Sequence, residues 1–183
     1  MIRLRELKPA DAPFMLEWMH DRDIQRWFKK DMLSSTLKQA EDFCINAAIP
    51  EELRSGQSIH YAIADEQDEY LGTVSLKEID LDNLSAEYAI VLRKGAQGKG
   101  CGREATWQIL EKAFNQYGLH RVYLNVYADN QAAIKLYESC GFVLEGEFRE
   151  HLLREGNYIN WRWYGMLKNE YNQNHHDLTG GCS

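Results

Sequence analysis

Basic charge is scarce in this chain: 21 Lys and Arg stand against 28 Asp and Glu, a net charge of −7. A nucleic-acid partner needs a basic surface to neutralise its phosphates, so no such partner is expected. Long apolar runs are missing too, since none approaches the roughly 18 residues of a membrane span. The start, Met1-Ile2-Arg3-Leu4-Arg5-Glu6, lacks the apolar core of a signal peptide. No membrane partner and a cytoplasmic location follow as expectations. The four cysteines, Cys44, Cys101, Cys140 and Cys182, form no Cys-x-x-Cys pair and no cluster with histidine, so they read as reduced, structural thiols. At His175-His176 a metal site weighs less than a plain polar tail, and no metal is expected.

What remains is an ordinary globular composition, 44% hydrophobic and 27% charged. The length of 183 residues suits one domain with a sizeable core. That domain is expected over residues 1–168, with 169–183 as a frayed polar tail because it carries almost nothing apolar.

Ile2 to Leu7 alternates apolar and charged residues as a half-buried strand does. Phe14, Met15, Trp18 and Met19 recur at helical spacing, and Ser34-Ser35-Thr36 precedes a second helical stripe through Leu37, Ala40, Phe43 and Cys44. Trp18, Trp27 and Phe28 read as core packing first and as a substrate-pocket lining second. Ser58 to Ala64, Tyr70 to Leu76 and Ala86 to Leu92 read as successive strands, with Asp65-Glu66-Gln67-Asp68-Glu69 as a solvated hairpin tip. A helical stripe from Arg103 to Tyr117 ends at Gly118, a strand covers Val122 to Val126, and a helix starting near Asp129 or Asn130 ends at Gly141. Strand 86–92, helix 103–117 and strand 122–127 form a βαβ unit, so those two strands are expected to be parallel neighbours. Phe142 to Gly146 and Ile159 to Leu167 are the last two strands expected.

Between the third strand and its helix lies Gly95-Ala96-Gln97-Gly98-Lys99-Gly100-Cys101-Gly102-Arg103. Glycines bare the backbone N–H groups, and a helix start adds unpaired donors and the positive end of its dipole, which together suit a phosphate. A nucleoside-triphosphate loop requires Ser or Thr after Gly-Lys, and the residues after Gly100 are Cys101 and Gly102; a dinucleotide fingerprint from Gly98 requires glycine where Arg103 stands. Both readings fail. The run Gln97-Gly98-Lys99-Gly100-Cys101-Gly102 resembles the Gln/Arg-x-x-Gly-x-Gly/Ala pyrophosphate loop of the GNAT superfamily of acyl-CoA-dependent N-acetyltransferases. A second stretch, Leu124-Asn125-Val126-Tyr127 through Asn130 and Tyr137 to Gly141-Phe142, is similar to that family's strand, Asn, helix, Tyr, Gly-Phe segment. Within the family the chain looks most like the branch of ribosomal-protein N-terminal, polyamine and nucleotide-amino-sugar acetyltransferases.

The resemblance implies an α/β fold with a mixed, twisted sheet of about six or seven strands and about four flanking helices. It implies acetyl transfer from acetyl-CoA to a primary amine by direct attack through a tetrahedral intermediate, without a metal. Gln97, Gly98, Lys99, Gly100, Cys101, Gly102 and Arg103 would hold the pyrophosphate, Ile90, Val91 and Leu92 would bond the pantetheine arm as if to an added strand, and Asn125 and Asn130 would touch the arm. Tyr137 would face the thioester sulfur. Its chemistry stands independently: expelling a thiolate is helped by a neutral proton donor, and a phenol with a pKa near 10 is one at neutral pH. The attacking amine must lose a proton, and Glu87, on the strand leading to the loop, is the expected acceptor, with His60 a second candidate. The plain alternatives are a buried core tyrosine and a salt-bridged glutamate. The acceptor could be a peptide or protein α-amine, a polyamine or an amino sugar on a nucleotide carrier; the aromatic content through Trp18, Trp27, Trp161 and Trp163 leans toward a ring. A homodimer is compatible with this reading. The alternative class is a module that binds CoA or another phosphorylated ligand without catalysis.

Overall fold

A computed structural model describes residues 1–179, with side-chain surroundings described through residue 174. The described elements run β1 (Arg3–Glu6), α1 (Ala12–Met19), α2 (Arg22–Gln25), α3 (Leu37–Asn46), β2 (Ile59–Ala64), β3 (Tyr70–Asp80), β4 (Ser85–Leu92), α4 (Cys101–Glu111), β5 (Arg121–Tyr127), α5 (Gln131–Ser139), β6 (Val143–Arg154), β7 (Asn157–Leu167) and α6 (Lys168–Thr179). The seven strands form one sheet in the order β1-β2-β3-β4-β5-β7-β6. Every neighbouring pair is antiparallel except β4 and β5, the two strands joined through α4. The expected βαβ unit is present.

Alternation along the strands divides the core between the two faces. On the back face Ile59, Tyr61, Val74, Leu76, Tyr88, Val122, Leu124 and Tyr164 pack against Ala105, Ile109 and Leu110 of α4 and Ile134 and Tyr137 of α5. On the front face Ala62 and Tyr70 pack against Met15, Trp18 and Met19 of α1 and Ala40 and Cys44 of α3. The front layer covers the β1–β3 side of the sheet. On the β5–β7–β6 side the same face instead carries Tyr127, Trp161 and Trp163.

Four expectations change. The sheet carries six helices among the described residues instead of about four, because α2 is a single turn and the polar segment after residue 167 is helical. That segment is not a frayed tail through residue 179: Tyr171 of α6 is 2% exposed and packs at a tilt against Phe114, ring centroids 5.1 Å apart, so one aromatic anchors an otherwise polar helix. The side chains of His175 and His176, and all of residues 180–183, lie outside the described residues. The hairpin tip at 65–69 is ion-paired as well as solvated, since β1 lies beside β2 and its cations reach Asp68: Arg3 at 2.8 Å, Arg5 at 2.7 Å and Lys8 at 2.7 Å. The strand expected at 142–146 continues to Arg154, forming with β7 a long antiparallel ribbon.

Candidate active site

β4 and β5 pair only over Ser85/Arg121, Ala86/Val122 and Glu87/Tyr123. Beyond Glu87 they separate, and a cleft of about 910 Å³ opens between their C-terminal ends. A parallel sheet normally satisfies both strands' backbone groups on this edge; here β4 from Tyr88 to Leu92 keeps a partner only on the β3 side. Residues Ile90, Val91 and Leu92 line the cleft at the place where an extended ligand could pair with them.

One end of the cleft is the glycine loop. Gly98 and Gly100 have φ of +71° and +84°, and a Cβ on either would meet nothing within 4 Å, so the backbone here is both left-handed and open. Gly100 is the N-cap of α4 and supplies no side-chain hydrogen bond, leaving the first-turn donors of that helix to whatever enters. Gln97 donates from Nε2 to Leu92 O at 3.1 Å, tying the loop to the strand end. Gly102 is needed for a different reason: a Cβ there would lie 3.2 Å from Leu136 Cδ2 and 3.4 Å from Leu92 Cδ1, so its absence lets α4 approach α5 and β4. The open, donor-rich start of α4 fits an anionic pyrophosphate.

Of the residues expected to bind the cofactor, Ile90, Val91, Leu92, Gln97, Gly98, Gly100, Gly102, Arg103, Asn125 and Asn130 line the cleft. Lys99 and Cys101 do not: Lys99 is exposed on the loop and Cys101 packs against the back core. Asn130 has a structural task as well, its Oδ1 accepting from Ala133 N at 3.2 Å as the cap of α5.

Tyr137 and Glu87 both line the cleft, Tyr137 from α5 on the back side and Glu87 from β4 on the front. Tyr137 is 8% exposed, wedged edge-on against Tyr88 at 5.8 Å and Phe142 at 6.1 Å. Its hydroxyl has no protein hydrogen-bond partner among the described residues, whereas that of Tyr88 is held by Thr106 Oγ1 at 2.8 Å. Burial pushes the Tyr137 phenol well above its ordinary pKa, with nearby Cys140 adding to the shift, so it remains a neutral donor. Glu87 Oε1 accepts from Lys77 Nζ at 2.8 Å, and both side chains remain partly exposed in the cleft. His60 is not a lining residue; its Nδ1 meets Ser75 Oγ at 2.8 Å, its ring leans on Phe43, and burial lowers its pKa with Lys77 acting the same way.

The other end of the cleft joins Trp27, Phe28 and Trp161 to lysines that the sequence did not single out. The loop after α2 brings Trp27, Phe28, Lys29 and Lys30 to the rim, and Trp161 and Tyr127 face them from β7 and β5. Arg154, at the far end of β6, donates to Phe28 O at 3.0 Å and to Tyr127 Oη at 2.9 Å, so the long ribbon fastens this loop to the sheet. Trp27 and Phe28 thus take the lining role, while Trp18 is core, 5% exposed and bonded through Nε1 to Tyr70 Oη at 3.0 Å. Among the described residues no group of three His, Cys, Asp or Glu has metal-holding geometry, and no helix is long and apolar enough to cross a membrane.

Residues 2–143 match the family model of the Acetyltransferase (GNAT) domain. The chain is 28% identical over 170 residues to a spermidine N(1)-acetyltransferase of Vibrio cholerae serotype O1, covering 93% of this chain and 95% of that one. It is 30% identical over 100 residues to a putative ribosomal N-acetyltransferase of Bacillus subtilis, 55% of each chain. A crystal structure of spermidine N-acetyltransferase from Vibrio cholerae in complex with CoA and spermine superimposes with a TM-score of 0.82 at 27% identity, covering 93% of this chain and 98% of that one. With the family's domain matched over most of its length and the parallel strands parted above an uncapped helix start, the chain belongs to the GNAT family and is an acetyl-CoA-dependent N-acetyltransferase.

Proposed function

We propose that Tyr137 and Glu87 are the proton-handling pair of this transfer, and that the glycine loop and the unpaired edge of β4 hold the CoA. The observation that carries the reading is the end of β4–β5 pairing at Glu87/Tyr123, which puts the donor strand edge, Tyr137 and Glu87 around one opening. An alkyl ammonium must reach its neutral form before it attacks, and Glu87 takes that proton, directly or through water. As the amine nitrogen bonds to the carbonyl carbon and the carbon–sulfur bond breaks, the Tyr137 phenol gives its proton to the departing sulfur. Backbone N–H groups at the start of α4, with Arg103 beside them, offset the pyrophosphate charge.

The acceptor class is open to experiment among polyamines, amino sugars and peptide α-amines; three of the relatives carry spermidine in their names. A cytoplasmic setting suits this reading, since Cys44, Cys101 and Cys140 are free thiols. The test is mass-spectrometric detection of free CoA from acetyl-CoA and purified protein, run separately against pooled polyamines, amino sugars with their nucleotide-linked forms, and peptides. Release in one pool, together with the acetylated amine, is expected. Tight binding of acetyl-CoA with no release in any pool would overturn the assignment of the pair.

A further inference from the structure

The cleft is cationic in a chain that is acidic. Its lining includes Lys29, Lys30, Lys77, Lys94, Arg103 and Lys135 against Asp23 and Glu87, although the whole chain carries −7. Lys94 and Arg103 belong to the glycine loop and the first turn of α4, where phosphates are to be held, and Lys94 is already shared with Asp23 at 3.1 Å and Asp21 at 3.6 Å. The rim at the opposite end has a different composition. There Lys29, Lys30 and Lys77 face a single lining carboxylate, Glu87, which Lys77 already engages. Lys29 and Lys30 have no ion-pair partner among the described residues.

Beneath Lys29 is a closed aromatic cluster that holds the lysine in place, its Trp161 only 9% exposed. The Lys29 Nζ stands 3.6 Å above the Trp161 ring centroid. Trp161 is stacked on His151 at 5.1 Å and set edge-on to Trp163 at 5.7 Å, and Trp163 stacks on Tyr123, also at 5.7 Å. Tyr123 is the register partner of Glu87, so the cluster links Lys29 to the foot of the proposed base. Burial lowers the pKa of Lys29, with Glu87 opposing that shift and Lys77 adding to it, so the three groups share one electrostatic environment. A flexible polycation entering here would bring its further ammonium groups against three lysines, a like-charge arrangement that disfavours binding. A small amine that carries a negative group meets the opposite condition, two ammonium groups, those of Lys29 and Lys30, with no carboxylate paired to them among the described residues.

We propose that the acceptor is a small primary amine that also bears a phosphate or carboxylate, the anion meeting Lys29 and Lys30 and the amine presented to Glu87. This rests on the acetyl-transfer reading and narrows its substrate class.

The test uses paired probes that differ in the anion: glucosamine against glucosamine 6-phosphate, and tyramine against tyrosine, with spermidine as the polycation. Calorimetric binding of each to the CoA-saturated protein is measured beside CoA release from acetyl-CoA. The anionic member of at least one pair should bind on the order of tenfold more tightly than its neutral twin, and spermidine more weakly than either. Which pair responds separates phosphate from carboxylate. Lys29→Glu should bring the ratio close to one while the Kd for CoA is unchanged. Preference for spermidine, equal binding of the twins in both pairs, or a ratio untouched by Lys29→Glu would each overturn the proposal. Discrimination in binding without CoA release would instead sink the transfer reading and leave the anion site standing.

Discussion

Two helices border the cleft, α4 and α5, and they begin in opposite ways. α5 caps itself, with Asn130 Oδ1 taking the N–H of Ala133; α4 starts at left-handed Gly100 and has no side chain to offer. The one acid in the first turn of α4, Glu104, turns instead to Ile2 N at 3.1 Å. α3, which does not line the cleft, is capped more fully still, by the reciprocal pair Thr36 and Gln39. A helix that satisfies its own donors has no free anion site, and one that leaves them bare while facing an open cleft does. On the proposed mechanism the two helices do different work: α4 contributes backbone, and α5 contributes a side chain, Tyr137.

The strongest way to break that division is Tyr137→Phe. Removing the hydroxyl leaves the ring's contacts with Tyr88 and Phe142 in place. Turnover should fall on the order of 10²-fold, as for loss of a general acid, with the Kd for CoA unchanged. Unaltered turnover would remove Tyr137 from the chemistry. A pH profile sharpens the same point. The phenol's folded pKa lies above its ordinary value near 10, so the acid keeps its proton as pH rises toward 10, and kcat of the unaltered enzyme should show no falling limb from Tyr137 below that pH. An early alkaline fall that disappears in Tyr137→Phe would show that burial does not raise it.

The backbone side of the comparison is tested by Gly100→Ala. The methyl group clashes with nothing in the protein, but a non-glycine residue at φ +84° costs about 1–2 kcal/mol and places carbon where the phosphate is expected. The Kd for CoA should rise about tenfold, with kcat at saturation changed far less. An unchanged Kd would mean that these donors do not hold the anion. Gly95→Ala is the control, since its backbone is not left-handed and a Cβ there is equally unobstructed.

How much of this was legible in the sequence follows from how local each signal is. The glycine loop and the Asn130–Tyr137–Gly141 helix are contiguous, so their residue types carry their own geometry, and the order and pairing of β2, β3, β4 and β5 followed from period and turn spacing. Glu87 was legible as a cleft residue because alternation fixes a strand's faces; its pairing with Lys77 depends on the β3–β4 register, which periodicity alone does not fix. β6 was read too short because Glu145 to Glu150 alternates nothing: nearly every residue of β6 is exposed, so no buried face marks its period. α2 has four residues, too few for a helical stripe, and the lysines and aromatics behind it are held at the cleft by long-range contacts, among them Arg154 to Phe28 O, 126 positions apart, and Trp27 against Tyr127. Tyr171 shows the same limit at the other end, where one aromatic among polar residues looked like tail composition and is a packing anchor.

The smallest expected effects come from the caps themselves, and they test whether capping and ligand binding are separable. Thr36→Ala removes the α3 cap and should lower stability by about 1 kcal/mol, a drop in Tm of roughly 2–4 °C for a chain of this size, with no change in CoA affinity because α3 does not line the cleft. Asn130→Asp is the informative partner. Aspartate caps a helix as well as asparagine and suits the positive end of the dipole, so stability should stay within about 0.5 kcal/mol. What the change removes is the Nδ2 donor, the part of Asn130 that the cap does not use. If that amide faces the CoA arm, the Kd should rise a few-fold at constant Tm. If Kd and Tm both stay fixed, Asn130 belongs with Thr36 as a cap alone, and the cofactor is held entirely by the helix that left its own donors open.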